Sequence, residues 1–104
     1  MASPELIKKV DEQVKKNKVI IYMKGNKEAP RCGFSSAAVE VLKSYNVPFE
    51  SVDVLADEDL WEALEEYSKW PTVPQIFING EFVGGSDIVR ELHAKGELKK
   101  IIAG

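Results

Sequence analysis

The run Val19-Ile20-Ile21-Tyr22-Met23 constrains the fold more than any other part of the sequence. It is a continuous stretch of β-branched, aromatic and other apolar residues, and it is too short to form a helix. A run of this kind is typical of a central strand that is buried on both faces. The rest of the chain must therefore supply elements that cover two faces of one sheet.

Amphipathic helices and short strands alternate along the rest of the chain. Helical spacing of apolar residues predicts helices over residues 4–16, over residues 36–43, after Asp57, after a Ser86-Asp87 cap, and around Leu98. Alternation predicts a strand at residues 49–53, and Asn79-Gly80 between two apolar runs is a strong hairpin signal. This order predicts one α/β domain over residues 1–104. Its expected form is a mixed four-stranded sheet with helices on both faces, the thioredoxin-like fold.

The composition argues against several classes of protein. The chain has 104 residues, of which 44% are hydrophobic, so we expect one compact domain rather than disorder. Its formal charge of −3 and the lack of a basic stripe argue against nucleic acid as a partner. No apolar run approaches the roughly 20 residues that cross a membrane, and no signal-peptide pattern opens the chain. The lone cysteine fits a reducing intracellular compartment. This would be the mitochondrial matrix if the chain is eukaryotic and has lost a transit peptide, and otherwise the cytoplasm.

That cysteine, Cys32, lies between the central apolar run and the helix that follows it. Unpaired N–H groups and the positive end of the dipole at a helix N-terminus favour a thiolate. A buried structural cysteine is the alternative, but Pro30, Arg31 and Gly33 do not resemble a core segment. Position 35 is Ser, so any disulfide formed at Cys32 must be resolved by an external thiol.

Two further segments could complete a binding site around Cys32. Val73-Pro74 is either a proline that opens a strand or a cis peptide bond, where the backbone of Val73 could pair with a peptide ligand. Gly84-Gly85-Ser86-Asp87 ends a strand and begins a helix; its N–H groups could also bind a carboxylate, and Asp87 an ammonium group. With Lys24 available for a second carboxylate, these groups match the chemistry of glutathione.

These motifs together resemble a monothiol glutaredoxin of the CGFS type and single-domain class, over essentially the whole chain. The resemblance is carried by Tyr22-Met23-Lys24-Gly25, Cys32-Gly33-Phe34-Ser35, Trp70-Pro71-Thr72-Val73-Pro74-Gln75 and Gly84-Gly85-Ser86-Asp87-Ile88. It implies the thioredoxin fold and a cis Val73-Pro74 bond. It also implies that glutathione is bound by Lys24, Val73, Ser86 and Asp87.

The same resemblance implies a role in iron–sulfur cluster assembly. A [2Fe-2S] cluster would bridge two subunits, held by Cys32 of each subunit and by two glutathione thiolates. Such proteins pass the cluster to apo-acceptor proteins, often with BolA-like partners. The alternative is a glutathione-dependent thiol-disulfide oxidoreductase that acts on glutathionylated proteins, which would use the same cysteine and the same pocket.

Two positions depart from the pattern of many relatives. Where this chain has Trp61, many relatives carry a basic residue that helps to hold the glycine carboxylate of glutathione. Trp61 either faces the site, offering one N–H and an apolar face, or is a core or half-exposed aromatic. Where the chain has Ser86, many relatives have a second cysteine, so no internal disulfide with Cys32 can form. Phe34 is expected to pack behind the site or to shield the cluster, and His93 to be a solvated surface residue.

Overall fold

The apolar run at residues 19–23 is an inner strand of a four-stranded sheet, as its sequence predicts. All five of its residues are buried. The structure, a computed structural model, describes residues 2–104. Its helices and strands are, in chain order, α1 (Pro4–Lys16), β1 (Val19–Met23), α2 (Gly33–Lys43), β2 (Glu50–Asp53), a 3-10 helix (Val54–Ala56), α3 (Glu58–Ser68), β3 (Gln75–Ile78), β4 (Glu81–Gly84), α4 (Ser86–Ala94) and α5 (Glu97–Ala103).

The sheet is mixed and has the strand order β2-β1-β3-β4. β1 pairs in parallel with β2, with Ile20 opposite Glu50, and antiparallel with β3. β3 and β4 form the predicted hairpin. Asn79 and Gly80 in its turn have φ angles of 53° and 82°. Two successive positive φ angles are what a type I′ hairpin turn requires, and Asn-Gly is the pair that adopts them most readily.

Alternate side chains of β1 point to opposite faces of the sheet. Since all of them are apolar and buried, helices cover both faces. Ile20 and Tyr22 belong to a core that includes residues of α1 and α3, which pack on each other. Ile21 and Met23 belong to a second core that includes residues of α2, α4 and α5. This is the thioredoxin-like arrangement that the sequence predicts. Among the described helices, none is both long and apolar enough to cross a membrane.

Side-chain hydrogen bonds connect α1 to α3 and to strand β1. The Tyr67 hydroxyl donates to Asp11 Oδ1 at 2.7 Å, and the Tyr22 hydroxyl donates to Gln13 Oε1 at 2.8 Å. Burial and then the bond to the Asp11 carboxylate raise the pKa of Tyr67 to about 12. The Tyr67 hydroxyl therefore keeps its proton, and its donor role, to a higher pH than an ordinary tyrosine does.

The helix N-termini differ between the two layers. Ser3 Oγ accepts a backbone N–H of α1 at 3.2 Å, and Asp57 Oδ1 accepts a backbone N–H of α3 at 3.1 Å. Both helices are thus capped by a side chain. α2 and α4, whose N-cap residues are Cys32 and Gly85, have no side-chain cap bond.

α2 and α4 pack side by side. Just beyond the end of α2, the Tyr45 hydroxyl is hydrogen-bonded to Nδ1 of His93 in the last turn of α4. The two rings meet edge to face, with centroids 5.3 Å apart. His93 is exposed, as expected of a surface residue, but it also joins the two helices at one end.

α2 begins earlier than its sequence pattern predicts, at Gly33 rather than at residue 36. Cys32 is extended, with φ −149° and ψ 138°. Its carbonyl oxygen already accepts the N–H of Ser36 at 2.9 Å, which closes the first helical turn. The cysteine is therefore the N-cap residue itself, one residue before the helix.

Three smaller differences concern the strand and helix ends. The prediction that Ser86-Asp87 caps its helix is wrong, because the N-cap is Gly85 and Ser86 is the first helical residue. β2 begins at Glu50, one residue later than expected. The 3-10 helix Val54–Ala56 has no counterpart in the predicted elements.

Candidate functional site

A cleft of about 440 Å³ lies where α2 and α4 begin. It is also bordered by the end of β1, by α3 and by the segment before β3. The residues that the sequence proposes for the site all line this cleft: Lys24, Cys32, Trp61, Val73, Ser86 and Asp87. The fold therefore brings together groups that are up to 63 positions apart in the chain, from Lys24 to Asp87.

Cys32 lies in the cleft as the half-buried N-cap residue of α2. The pKa of the Cys32 thiol is lowered, and the main cause is a hydrogen bond from the backbone N–H of Ser35. The backbone N–H of Phe34, the Ser35 hydroxyl and the charge of Lys24 also lower this pKa, whereas burial opposes them. The uncapped helix start thus favours the thiolate, which is the nucleophilic and metal-binding form of cysteine.

Lys24 and Trp61 meet in the cleft. Lys24 Nζ lies 5.8 Å from the centroid of the Trp61 ring, a distance typical of a cation–π contact. The ring is half-buried and packs against the core under α1 and α3, yet it also lines the cleft. Trp61 is therefore a partly buried aromatic and a residue of the cleft at once. Its Nε1 is buried and finds no hydrogen-bond partner within residues 2–104.

The Val73–Pro74 peptide bond is cis, which confirms what the family resemblance implies. Pro74 is buried, and half-buried Val73 lines the cleft. The start of α4 approaches this segment closely, since a Cβ placed on Gly85 would lie 3.2 Å from the carbonyl oxygen of Pro74. The small size of glycine at position 85 allows α4 to begin beside the cis bond.

Ser86 and Asp87 are the first two residues of α4. Ser86 is only 6% exposed, and its Oγ is buried without a hydrogen-bond partner among the described residues. Asp87 is exposed and lines the same cleft. Free N–H groups at the helix start can receive an anionic group, while the Asp87 carboxylate beside them can receive a cation.

Comparison with known proteins identifies the family. The chain matches the family Glutaredoxin over residues 19–83. A monothiol glutaredoxin from Synechocystis is 49% identical over 100 residues, which cover 96% of this chain and 94% of that protein. A mitochondrial monothiol glutaredoxin from Arabidopsis thaliana is 56% identical over 91 residues, which cover 88% of this chain and 54% of that protein. The chain belongs to the glutaredoxin family.

A solved structure supports the same assignment for this glutaredoxin. The solution structure of a reduced apo glutaredoxin from poplar superimposes with a TM-score of 0.82 at 50% identity, covering 94% of this chain and 90% of that one. The chain spans almost the whole cyanobacterial relative but only about half of the Arabidopsis one. The relatives are named monothiol glutaredoxins, and Cys32 followed by Ser35 agrees with that name.

Three large apolar side chains of this glutaredoxin are exposed around the cleft. Phe34 is 64% exposed, and Trp70 and Ile88 are each 42% exposed. Of the two expectations for Phe34, packing behind the site is wrong, because this exposed side chain lines the cleft. Shielding of a cluster stays a prediction. Trp70 and Ile88 also line the cleft, and sequence reasoning does not identify them as site residues, although both occur in the motifs that carry the family resemblance.

The loop between β1 and Cys32 is fastened to β2 and to the residue before it. The N–H of Gly25 donates to Asp53 Oδ1 at 3.0 Å, and Lys27 Nζ donates to the carbonyl of Phe49 at 2.6 Å. Gly25 has a φ of 82°, and a Cβ there would lie 2.4 Å from the carbonyl oxygen of Ala29. Glycine is required at this turn, which sets the path of the backbone from Lys24 toward the cysteine.

The chain by itself offers few metal ligands. Within residues 2–104 there is no group of three or more His, Cys, Asp or Glu residues that could hold a metal ion. Cys32 is the only cysteine in the sequence, so each chain supplies one thiolate. A metal centre at this cleft needs ligands from other molecules.

Proposed function

We propose that this glutaredoxin binds glutathione in the cleft and, as a homodimer, carries a bridging [2Fe-2S] cluster that it delivers to acceptor proteins. The observation that carries the proposal is the position of Cys32, whose pKa is lowered, in one cleft with Lys24 and with the open start of α4. The cleft thus combines a protein thiolate with separate binding groups for anions and for a cation.

Glutathione matches these groups because it has two carboxylates, one ammonium group and a thiol. Lys24 binds one carboxylate, and the Trp61 ring beside it supplies an apolar face. The backbone of Val73 pairs with the peptide part of the ligand. The second carboxylate binds at the start of α4, where the backbone N–H groups of Ser86 and Asp87 have no side-chain cap, and the Asp87 carboxylate binds the ammonium group.

The number of thiolates supports a shared cluster. A [2Fe-2S] centre is commonly held by four thiolates, and one chain supplies only Cys32. Two chains and two glutathione molecules complete the set. A cluster held in part by a diffusible tripeptide dissociates more readily than one held by four protein cysteines, which suits delivery to apo-acceptor proteins and exchange with BolA-like partners.

The lowered pKa of Cys32, which lies half-buried in a cleft that a ligand can enter, favours a second candidate, removal of glutathione from glutathionylated proteins. The Cys32 thiolate attacks the glutathione sulfur of the mixed disulfide, and the client protein leaves as a thiolate. A second glutathione thiolate then attacks the Cys32–glutathione disulfide. This step releases oxidised glutathione and restores the Cys32 thiolate, so Ser35 needs no thiol.

One experiment separates the two candidates. The chain is incubated anaerobically with ferrous iron, sulfide and glutathione, and the visible spectrum and molecular mass are recorded. We expect a coloured dimer that fails to form without glutathione or with Cys32→Ser. A colourless monomer that rapidly deglutathionylates a model substrate would refute the carrier function and support the oxidoreductase. Ser44→Ala, a hydroxyl change at the far end of α2, serves as the control.

We also propose a reducing intracellular compartment for this activity, where glutathione is abundant. The relatives include proteins named mitochondrial and chloroplastic from plants and proteins from bacteria. For a eukaryotic host the proposed compartment is the mitochondrial matrix, and for a bacterial host it is the cytoplasm.

A further inference from the structure

Gln75 holds the segment that precedes the cis bond. It is the first residue of β3 and is fully buried. Its side-chain Nε2 donates to the carbonyl oxygens of Trp70 and Thr72, at 2.9 Å and 3.0 Å. A primary amide has two N–H donors, and both are used on this one segment. Trp70 and Thr72 both line the cleft.

Packing alone does not explain a glutamine at this position. The Oε1 atom of Gln75 is buried and has no hydrogen-bond partner among the described residues. A buried polar atom without a partner is unfavourable, so an apolar side chain of similar volume would fill the space better. What an apolar side chain would lose is the pair of bonds to Trp70 and Thr72.

We infer that Gln75 is a positioning residue that fixes the backbone of Val73 for ligand binding. The inference rests on the proposed glutathione site. The carbonyls of residues 70 and 72 are held by one rigid, buried side chain on the sheet. The peptide groups of Val73, the next residue in the chain, therefore face the cleft before a ligand arrives. A ligand that pairs with them then causes a smaller loss of backbone entropy on binding.

The test compares changes at the two glutamines of the chain. Gln75→Met keeps the approximate volume and removes both donors. Gln13→Met is the matched control, because Gln13 is bonded to Tyr22 in the α1 layer and lies outside the cleft. Loss of the contacts that depend on the held backbone is expected to weaken glutathione binding by Gln75→Met about three- to tenfold. Gln13→Met is expected to lower the melting temperature and to leave the dissociation constant unchanged.

A third variant, Gln75→Glu, tests the role of the donors. A carboxyl group buried beside two carbonyl oxygens favours its neutral form, which offers one O–H donor in place of two N–H donors. Glutathione affinity is therefore expected to lie between that of the wild type and that of Gln75→Met. The pH dependence of Cys32 alkylation by iodoacetamide is expected to be the same in all of these variants.

Backbone dynamics distinguish failure of this inference from failure of the proposed function. Heteronuclear NOE values of the amides of Trp70, Thr72 and Val73 are measured without any ligand, and we expect them to fall in Gln75→Met but not in Gln13→Met. Unchanged values in a folded Gln75→Met protein, or unchanged glutathione affinity, would overturn the positioning role. If the wild type itself binds no glutathione, the proposed function fails, and the NOE values alone then decide whether Gln75 orders the segment. If Gln75→Met does not fold, the same two measurements on Gln75→Glu decide the question.

Discussion

The helices on the two faces of the sheet of this glutaredoxin differ in whether a side chain caps their N-termini. On one face of the sheet, Ser3 and Asp57 cap α1 and α3 with their own side chains. On the other face, α2 and α4 begin at Cys32 and Gly85 without a side-chain cap, and both begin at the cleft. α5, which packs in the same layer, also begins without a side-chain cap, at Gly96 and away from the cleft. The two helix starts at the cleft therefore have no side-chain cap, whereas those of α1 and α3 do.

This difference shows how a small domain can separate stability from binding. A side-chain cap stabilises a helix by about 1 kcal/mol relative to a residue such as Ala, but by only about a few tenths of a kcal/mol relative to Gly. The missing cap therefore costs less stability at Gly85 than at Cys32. In return, the free N–H groups of α2 lower the pKa of Cys32, and those of α4 remain available to a ligand. Substitutions in the α1 and α3 layer should therefore change stability alone, except at Trp61, which lines the cleft. Substitutions at the starts of α2 and α4 should change binding or reactivity.

The largest expected effect is on stability, from Leu64→Ala in α3. Leu64 is fully buried in the core under α1 and α3. Removing a buried leucine side chain costs about 2–5 kcal/mol of unfolding free energy, measured by urea denaturation. Glutathione affinity of the folded protein should not change. A loss of affinity in parallel with stability, under conditions where the variant is fully folded, would break the separation between the layers.

The next largest effect is on binding, from Lys24→Ala and Asp87→Ala. Each is expected to weaken glutathione binding by about 1.5–3 kcal/mol, because each removes a charge-assisted hydrogen bond to the ligand. Isothermal titration calorimetry measures the change. Lys8→Ala and Asp59→Ala change exposed charges on α1 and α3 and are the matched controls. Full affinity in both cleft variants would contradict the proposed glutathione site.

A smaller effect is expected from removing a cap, with Asp57→Ala. Loss of the bond from Asp57 to the backbone of α3 should lower the unfolding free energy by about 1 kcal/mol. Asn is an equally good cap residue, so Asp57→Asn should retain most of the stability. Neither variant should alter glutathione affinity or the reactivity of Cys32. Equal destabilisation by Ala and Asn would show that the cap bond is not the cause.

The smallest effect is on the titration of Cys32. Because its pKa is lowered, alkylation by iodoacetamide should continue to a lower pH than for a free cysteine. Ser35→Ala removes the hydroxyl that contributes to this lowering and should move the pH profile upward. The corresponding contribution to stability is present above the pKa of the unfolded thiol and is lost as the pH falls through the lowered pKa of the folded state. A profile for the wild type that coincides with that of a cysteine peptide would contradict the role of the open helix start.

Patterns between neighbouring residues predict the sheet well. The five-residue run of β1 and the Asn79-Gly80 turn depend on adjacent side chains, so a single sequence contains the necessary information. The start of α2 is less predictable, because the N-cap residue Cys32 is extended and the first helical residue, Gly33, is a weak helix former. Similarly, glycine at position 85 is the N-cap of α4, whereas the pattern favours Ser86.

The site is formed by segments that are distant in the sequence, so only some of its residues can be predicted from the sequence. Cys32 and the start of α4 follow from helix chemistry, whereas spacing alone does not predict the cis bond before Pro74, which the family resemblance implies. Trp70 and Ile88 are apolar, and a sequence does not show whether an apolar side chain lies in a core or on the rim of a cleft. The role of Gln75 cannot be predicted from the sequence either, since its partners are two backbone carbonyls that any residue would provide.

The contact between Tyr45 and His93 has a consequence for the kinetics of binding. α2 and α4 both begin at the cleft and are joined again at their opposite ends by this pair. Because the two helices also pack side by side, we expect them to act as one frame. The distance between the thiolate of Cys32 and the start of α4 should then change little when a ligand enters. Little conformational entropy remains to be lost on association. Ligands that differ in affinity for this frame should consequently differ in how slowly they leave rather than in how quickly they arrive.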